Sequence, residues 1–485
     1  MALNVLLIAS EAHPFVKTGG LGDVSGTLPA ALNRIGVNCS LMLPMYSKIS
    51  SEYVNKAELV ANFDVKLGWR MQPCSLFRLT HGGICVYLIG SDYYFNRPYI
   101  YGDGMSDAER FSFFCKAAIE SIPHLDEIPH VLHLNDWHTG MIPLLLKQEY
   151  LKHELYSGIK TLYTIHNLRY QGLFDMGSIK ELLSIDDEYA TPSGMEYYGN
   201  ASFMKAGIVF ADRVSTVSET YSREILKSDA GEGLDGVLRS RQDGIYGIMN
   251  GIDTTSFDPN SDPSIEAGFS ADMPEKKVLC KAALQREMGL FLEPDMPLIG
   301  VVSRLTEQKG FQLLTECMDA VLNLGVSLCV LGSGDAWMEE YFSRIAHENP
   351  GRVAFYCGYS DALARRIYAG SDMILMPSQF EPCGISQLIA MRYGSLPIVR
   401  ETGGLKDSVE PYNRFTRQGT GFTFTFFNAV DMYNAIERAV TCYHDKAAFN
   451  AIRRNAMDKS YDWLVSALKY RNLYESMRGA PENEA

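Results

Sequence analysis

Two stretches of this chain repeat one another, and the repeat limits the architectures open to it. Lys17-Thr18-Gly19-Gly20-Leu21-Gly22-Asp23-Val24 lies near the start, and Glu401-Thr402-Gly403-Gly404-Leu405-Lys406-Asp407 lies far along the chain. Both read T-G-G-L-x-D. Each follows a short apolar run, residues 5–9 in the first case and 396–399 in the second. A strand that enters a glycine turn and then a helix is how α/β folds bring backbone N–H groups to a ligand. One such turn in each half predicts an α/β chain of two Rossmann-like lobes facing each other across a cleft.

The 485 residues are enough for two large domains, and an apolar share of 46% can fill two cores. The net charge of −14 argues against a broad basic surface, so neither nucleic acid nor an anionic membrane is an expected partner. Neutral macromolecules and a local cationic pocket remain compatible with it. Ten cysteines occur without a C-x-x-C pair or metal-ligand spacing, which predicts reduced core thiols and a cytoplasmic setting. The start, Met1-Ala2-Leu3-Asn4, lacks a basic n-region, and its apolar run ends at Glu11, so it reads as a first strand. No apolar stretch approaches the roughly 20 residues that span a bilayer.

Strand-length apolar runs alternate with helical patterns. The first half has them at 5–10, 39–43, 85–89, 131–134, 161–165 and 213–217, and the second at 299–303, 328–331, 353–357, 373–376 and 396–399. Runs apolar on both faces, with helices between, predict parallel sheets. A helix over 28–35 follows the first glycine loop, with Gly36 as its stop. The domain boundary is expected within 245–259, where Asn250-Gly251 signals a turn. That gives domains 1–245 and 246–460. A helix over 461–477, with Trp463, Leu464, Ala467, Leu468, Leu473 and Tyr474 at helical spacing, could pack back on the first lobe. Residues 479–485 read as a disordered tail.

Four segments can carry chemistry. Lys17 precedes a loop whose backbone can approach a ligand, so its ammonium can sit beside an anion. Arg304 and Lys309, in Ser303-Arg304-Leu305-Thr306-Glu307-Gln308-Lys309-Gly310, lie at the carboxyl end of a strand, where α/β ligands bind, and two cations there suit a diphosphate. Glu381, in Phe380-Glu381-Pro382-Cys383-Gly384, is restrained by its proline and can accept sugar hydroxyls or face positive charge at an anomeric carbon. A helix over 385–392 follows it. Asn135-Asp136-Trp137-His138 and Ile165-His166-Asn167 end strand runs, and Asp136, His166 and Asn167 have the polarity to hold sugar hydroxyls. The same residues could instead be surface cations, a capping carboxylate or a structural histidine. G-x-S-x-G and H-E-x-x-H are absent.

Together these motifs resemble bacterial glycogen synthase and plant starch synthase, retaining glucosyltransferases of the GT-B fold that use ADP-glucose. The resemblance runs from about residue 6 to about residue 474. It implies that Arg304 and Lys309 hold the leaving diphosphate, and that Lys17 with Gly19 and Gly20 faces the phosphates or the sugar. His166 would sit at the anomeric centre and Glu381 on the sugar's hydroxyl edge. Glu11, Asp23, Asp136, Asn167 and Asn250 would contact glucose or acceptor, with Asp136 and Trp137 on the acceptor side. Tyr359 would lie against the base, Thr402, Gly403 and Gly404 along the distal phosphate, and Cys383 and Gly384 among the donor contacts. Tyr94 or Phe95 would stack on the acceptor glucan. Asn96 departs from the pattern, since the family more often has Asp there.

The implied reaction moves glucose from ADP-glucose to the nonreducing 4-OH of an α-1,4-glucan such as glycogen or starch, with retention. No cofactor or metal is expected. No carboxylate nucleophile stands out, so departure and attack on one face is the favoured route. A related GT-B enzyme using UDP-glucose or another acceptor, a phosphorylase with pyridoxal phosphate, and a noncatalytic glucan-binding protein are the competing expectations.

Overall fold

The computed structural model describes residues 3–102 and 104–478, so the expected disordered tail lies outside the described residues. The chain divides into one unit of Met1–Asn250 with Trp463–Ala485 and a second of Gly251–Asp462.

Strands of the first unit are β1 Leu3–Ile8, β2 Val37–Pro44, β3 Glu58–Leu67, β4 Arg70–His81, β5 Ile84–Gly90, β6 Val131–Asn135, β7 Lys160–Ile165, β8 Leu173–Asp175, β9 Glu196–Tyr197, β10 Asn200–Ser202, β11 Arg213–Thr216 and β12 Tyr246–Gly247. Its main sheet runs β12-β11-β7-β6-β1-β2-β5-β4-β3, and β8, β10 and β9 form a small sheet apart. Neighbours from β12 to β5 pair in parallel, as the doubly apolar runs predict. The β3–β4 hairpin is antiparallel and was not legible as a run, because most of β3 is exposed and only Val65 and Leu67 near its end are buried. Pairing of Ser215 with Tyr246 and Thr216 with Gly247 keeps 246–247 in this sheet, which moves the boundary past residue 245.

The second unit holds β13 Leu298–Val302, β14 Ser327–Gly332, β15 Val353–Cys357, β16 Met373–Met376, β17 Leu396–Arg400 and β18 Phe422–Phe424. Their order, β15-β14-β13-β16-β17-β18, is all parallel. Renumbered within the unit this is 3-2-1-4-5-6, the dinucleotide-fold order, whose ligand crevice opens where the order reverses, between strands 1 and 4. The two-unit α/β architecture matches the expectation.

Three helical expectations change. The helix after the first glycine loop spans Gly20–Arg34, so the loop itself forms its first turn. The helix after Glu381 spans Ser386–Arg392. The terminal helix, Trp463–Met477, buries Trp463, Ala467, Tyr470, Tyr474 and Met477 in the first unit's core, while Leu464 and Leu468 face outward. Tyr474 anchors it through a 2.8 Å hydrogen bond between its hydroxyl and His133 Nδ1. Most cysteines are buried or half-buried; Cys357 is exposed, against the reading of core thiols. No helix among the described residues is long and apolar enough to cross a membrane.

Candidate active site

Strands β13 and β16 are neighbours at the reversal point of the second sheet, so the loops leaving their carboxyl ends meet. Gly310 makes that meeting possible. Its φ is +76°, and a Cβ there would stand 2.0 Å from the carbonyl oxygen of Pro377. The Gln379 N–H donates to Gln308 O at 2.9 Å, joining the two loops. The result is an ion pair of Lys309 Nζ and Glu381 Oε2 at 2.6 Å, with both side chains largely buried. Ser378 Oγ donates to the same oxygen at 3.0 Å. Arg304, from the same loop as Lys309, is exposed. The Glu381 carboxylate is thus paired with Lys309, and Arg304 lies exposed on the same loop, where a nucleotide fold places phosphate.

The second T-G-G loop is packed beneath Glu381. A Cβ on Gly403 would meet Glu381 O at 2.0 Å, and one on Gly404 would meet Cys383 O at 2.1 Å. The Gly404 N–H donates to Glu381 O at 3.1 Å. These glycines therefore let two backbones touch and hold Glu381, and the Gly404 N–H is already engaged. Thr402 and Cys383 are buried, while Gly384 has φ +71° against the buried Gln387. Tyr359, after β15, is 71% exposed.

In the first unit the strand order reverses between β1 and β6, and β7 lies beside β6. Their carboxyl ends bring Glu11, Asp136, His166 and Asn167 to one edge. Asp136 has φ 56° and ψ −178°, a region that costs a non-glycine residue roughly 1–3 kcal/mol. It is held there because its Oδ1 accepts the N–H of His166 at 2.8 Å and of Asn167 at 3.3 Å. Burial pushes its carboxyl up to about 7, although the two N–H donors favour the anion. Burial also depresses the His166 imidazole to about 3, so it is neutral in neutral solution.

The first T-G-G loop is also already occupied. The Glu11 carboxylate accepts the N–H of Thr18, the N–H of Gly19 at 3.3 Å and the Thr18 hydroxyl at 3.0 Å. Burial raises the Glu11 carboxyl, and the Thr18 and Gly19 donors oppose that. Glu11 thus shapes the loop. Lys17 pairs with Asp23 at 2.7 Å, with both side chains partly exposed.

Two acceptor expectations change. Tyr94 and Phe95 are 1% and 0% exposed. Tyr94 stacks on Phe113 at 4.4 Å and donates to Glu109 at 2.9 Å, so neither ring face is open to a glucan. Tyr93 beside them is 60% exposed. Trp137 packs against Phe111, His138 and Phe174, with ring centroids within 5.6 Å, and keeps only part of its surface open. Asn250 is buried, and its Oδ1 has no hydrogen-bond partner among the described residues. Sequence reasoning gave no role to Asn135, Ser378 or Gly310. Asn135, an amide ending an apolar strand, was the one visible signal.

A family model described as starch synthase catalytic domain matches residues 4–240, and one described as glycosyl transferases group 1 matches residues 289–456. The chain is 46% identical to glycogen synthases of Geobacillus thermodenitrificans and Geobacillus stearothermophilus, in each case over 98% of both chains. It superposes on the catalytic domain of starch synthase IV from Arabidopsis thaliana, solved with ADP and acarbose. The TM-score is 0.92 at 31% identity, covering 99% of this chain and 100% of that one. Sucrose-phosphate synthase of Thermosynechococcus elongatus, at 18% identity and TM-score 0.62 over 98% and 99% of the two chains, shares the fold. Identity that extends through both units, with the two family models in order, places the chain in the glycogen synthase and starch synthase family of GT-B glucosyltransferases, which act on a nucleotide sugar and a glucan.

Proposed function

We propose that the chain transfers glucose from ADP-glucose to the nonreducing 4-OH of an α-1,4-glucan, with retention of configuration. The observation that carries this reading is the Lys309–Glu381 pair, on the loop that also carries Arg304, at the reversal point of a nucleotide-fold sheet. As the glucosyl–phosphate bond breaks, negative charge grows on the diphosphate. Fixed cations at that place stabilise it without reorganising. Glu381, held by Lys309 and Ser378, is assigned to the hydroxyl edge of the sugar. Lys17 with Gly19 and Gly20 adds to the phosphate side, and Tyr359 to the base.

His166, Asp136 and Asn167 are assigned to the sugar and the acceptor. Double displacement would need a carboxylate free to attack carbon. Glu381 is engaged by an ammonium and a hydroxyl, and one Asp136 oxygen by two backbone N–H groups. This favours departure and attack on one face, with the diphosphate taking the acceptor's proton. Charge stabilisation falls to Arg304 and Lys309, so the reading calls for no cofactor. Its setting is taken as the cytoplasm.

The test is nucleoside diphosphate release from ADP-glucose and from UDP-glucose, with and without glycogen. Glycogen-dependent release from ADP-glucose, with UDP-glucose poor, supports the reading. A preference for UDP-glucose overturns the donor. Near-normal kcat in Lys309→Ala overturns the role given to that lysine.

A further inference from the structure

The side chain of Asn135 makes three contacts, and together they leave it one orientation. Its Nδ2 donates to Ile8 O at 3.0 Å and to His133 O at 3.1 Å. Carbonyl oxygens only accept, so both amide hydrogens are committed. Its Oδ1 must then face the other way, where it meets His166 Nε2 at 2.9 Å. An oxygen without hydrogen can only accept, so Nε2 carries the proton of a neutral imidazole. The partner nitrogen, Nδ1, makes no hydrogen bond among the described residues, and His166 as a residue is half-buried.

The setting gives the amide little freedom to turn. Asn135 is fully buried, and it ends β6 between β1, which supplies Ile8 O, and β7, which leads to His166. The His133 carbonyl it holds belongs to a residue locked on both ring nitrogens, by Tyr474 at 2.8 Å and by Thr164 Oγ1 at 2.7 Å. The His166 main chain is held by Asp136. Only the imidazole rotation is left, and the Asn135 oxygen sets it.

We propose that Asn135 is a positioning residue that holds His166 as the Nε2–H tautomer and so presents Nδ1 as a hydrogen-bond acceptor toward a hydroxyl of the transferred sugar. The last step rests on the placement of His166 at the sugar under the proposed function. The tautomer does not.

The experiment separates the two. The full-length chain, labelled with 15N-histidine and free of substrate, is examined by long-range nitrogen–proton correlation at neutral pH, with His166→Gln identifying the resonance. A protonated, slowly exchanging Nε2 and a bare Nδ1 are expected. Protonation at Nδ1, or a ring protonated on both nitrogens, overturns the assignment without any variant. In Asn135→Ala the Nε2 proton is expected to exchange at least tenfold faster. Its kcat is expected to fall roughly tenfold, about the worth of one hydrogen bond, with KM for glucan within about twofold of wild type. A folded Asn135→Ala chain with wild-type exchange and kcat overturns the positioning role. A wild-type chain with the expected spectrum but no glucosyl transfer supports the tautomer and overturns the functional reading.

Discussion

Replacing Gly310 with alanine should separate the two loops that make the Lys309–Glu381 pair. The added Cβ would lie 2.0 Å from Pro377 O and 2.8 Å from its carbon, whereas real Cβ contacts essentially never fall under 3.0 Å. The loops must therefore part by roughly 1 Å or more. The 2.6 Å ion pair would open to about 3.6 Å, outside direct hydrogen bonding. The positive φ adds roughly 1–2 kcal/mol of backbone strain, and the overlap about 1–3 kcal/mol. Misplacing a catalytic cation by about 1 Å can cost 10²-fold in rate.

Gly289 supplies the control. It lies in the same unit with φ +69°, and a Cβ there meets nothing within 4 Å. Gly289→Ala should carry the strain alone, roughly 1–2 kcal/mol, with kcat unchanged. The assay is diphosphate release at saturating donor and glycogen, measured well below each variant's melting temperature. Wild-type kcat in Gly310→Ala, or an equal loss in Gly289→Ala, would refute the argument that loop contact sets the cation.

Other outcomes follow from burial and charge. Tyr94→Ala should lower stability by about 3–5 kcal/mol, a core cavity cost, and leave glucan KM near wild type in chains that remain folded. Tyr93→Ala should disturb glucan binding more, and the reverse ranking would restore Tyr94 as an acceptor contact. Tyr359→Ala should raise KM for the nucleotide sugar severalfold and leave glucan KM alone, and an unchanged donor KM would remove this ring from the base site. Acid should weaken the first unit, because burial holds His133 and His166 at about 3 and His138 well below its usual value. Their unfolded forms bind protons near pH 6.5, so stability is lost as pH falls below that value. Asp136, raised to about 7, runs the other way: its contribution is complete below about pH 4 and is lost as pH rises through 7. The Glu11 carboxyl, also raised by burial, offsets the loss further, so three imidazoles against two carboxyls leave a net loss of at most roughly 2–3 kcal/mol per pH unit between about pH 6 and 4. Urea midpoints followed by tryptophan emission should fall from pH 6.5 to 5, and a flat profile would mean that these rings are not held neutral.

The sequence alone determined the class of fold, because strands apolar on both faces can be buried only in parallel sheets flanked by helices. It also placed Arg304, Lys309, Glu381, Asp136 and His166 after such strands, and the structure puts each of them past a carboxyl end, where α/β folds collect ligand residues. The β3 strand stayed hidden because it is mostly exposed and looks like a polar connector. The burial of Tyr94 and Phe95 was not legible because local pattern does not say which aromatic rings turn inward. What the two T-G-G loops do was decided only in three dimensions. One wraps a carboxylate, and the other lets two backbones meet beneath Glu381. The role of Asn135 likewise depends on carbonyls at Ile8 and His133 that come within reach only when β1 and β6 lie side by side. Spacing along a chain reports which residues share a strand end. Hydrogen-bond direction, ring burial and loop contact depend on atoms from distant segments, and tertiary packing sets them.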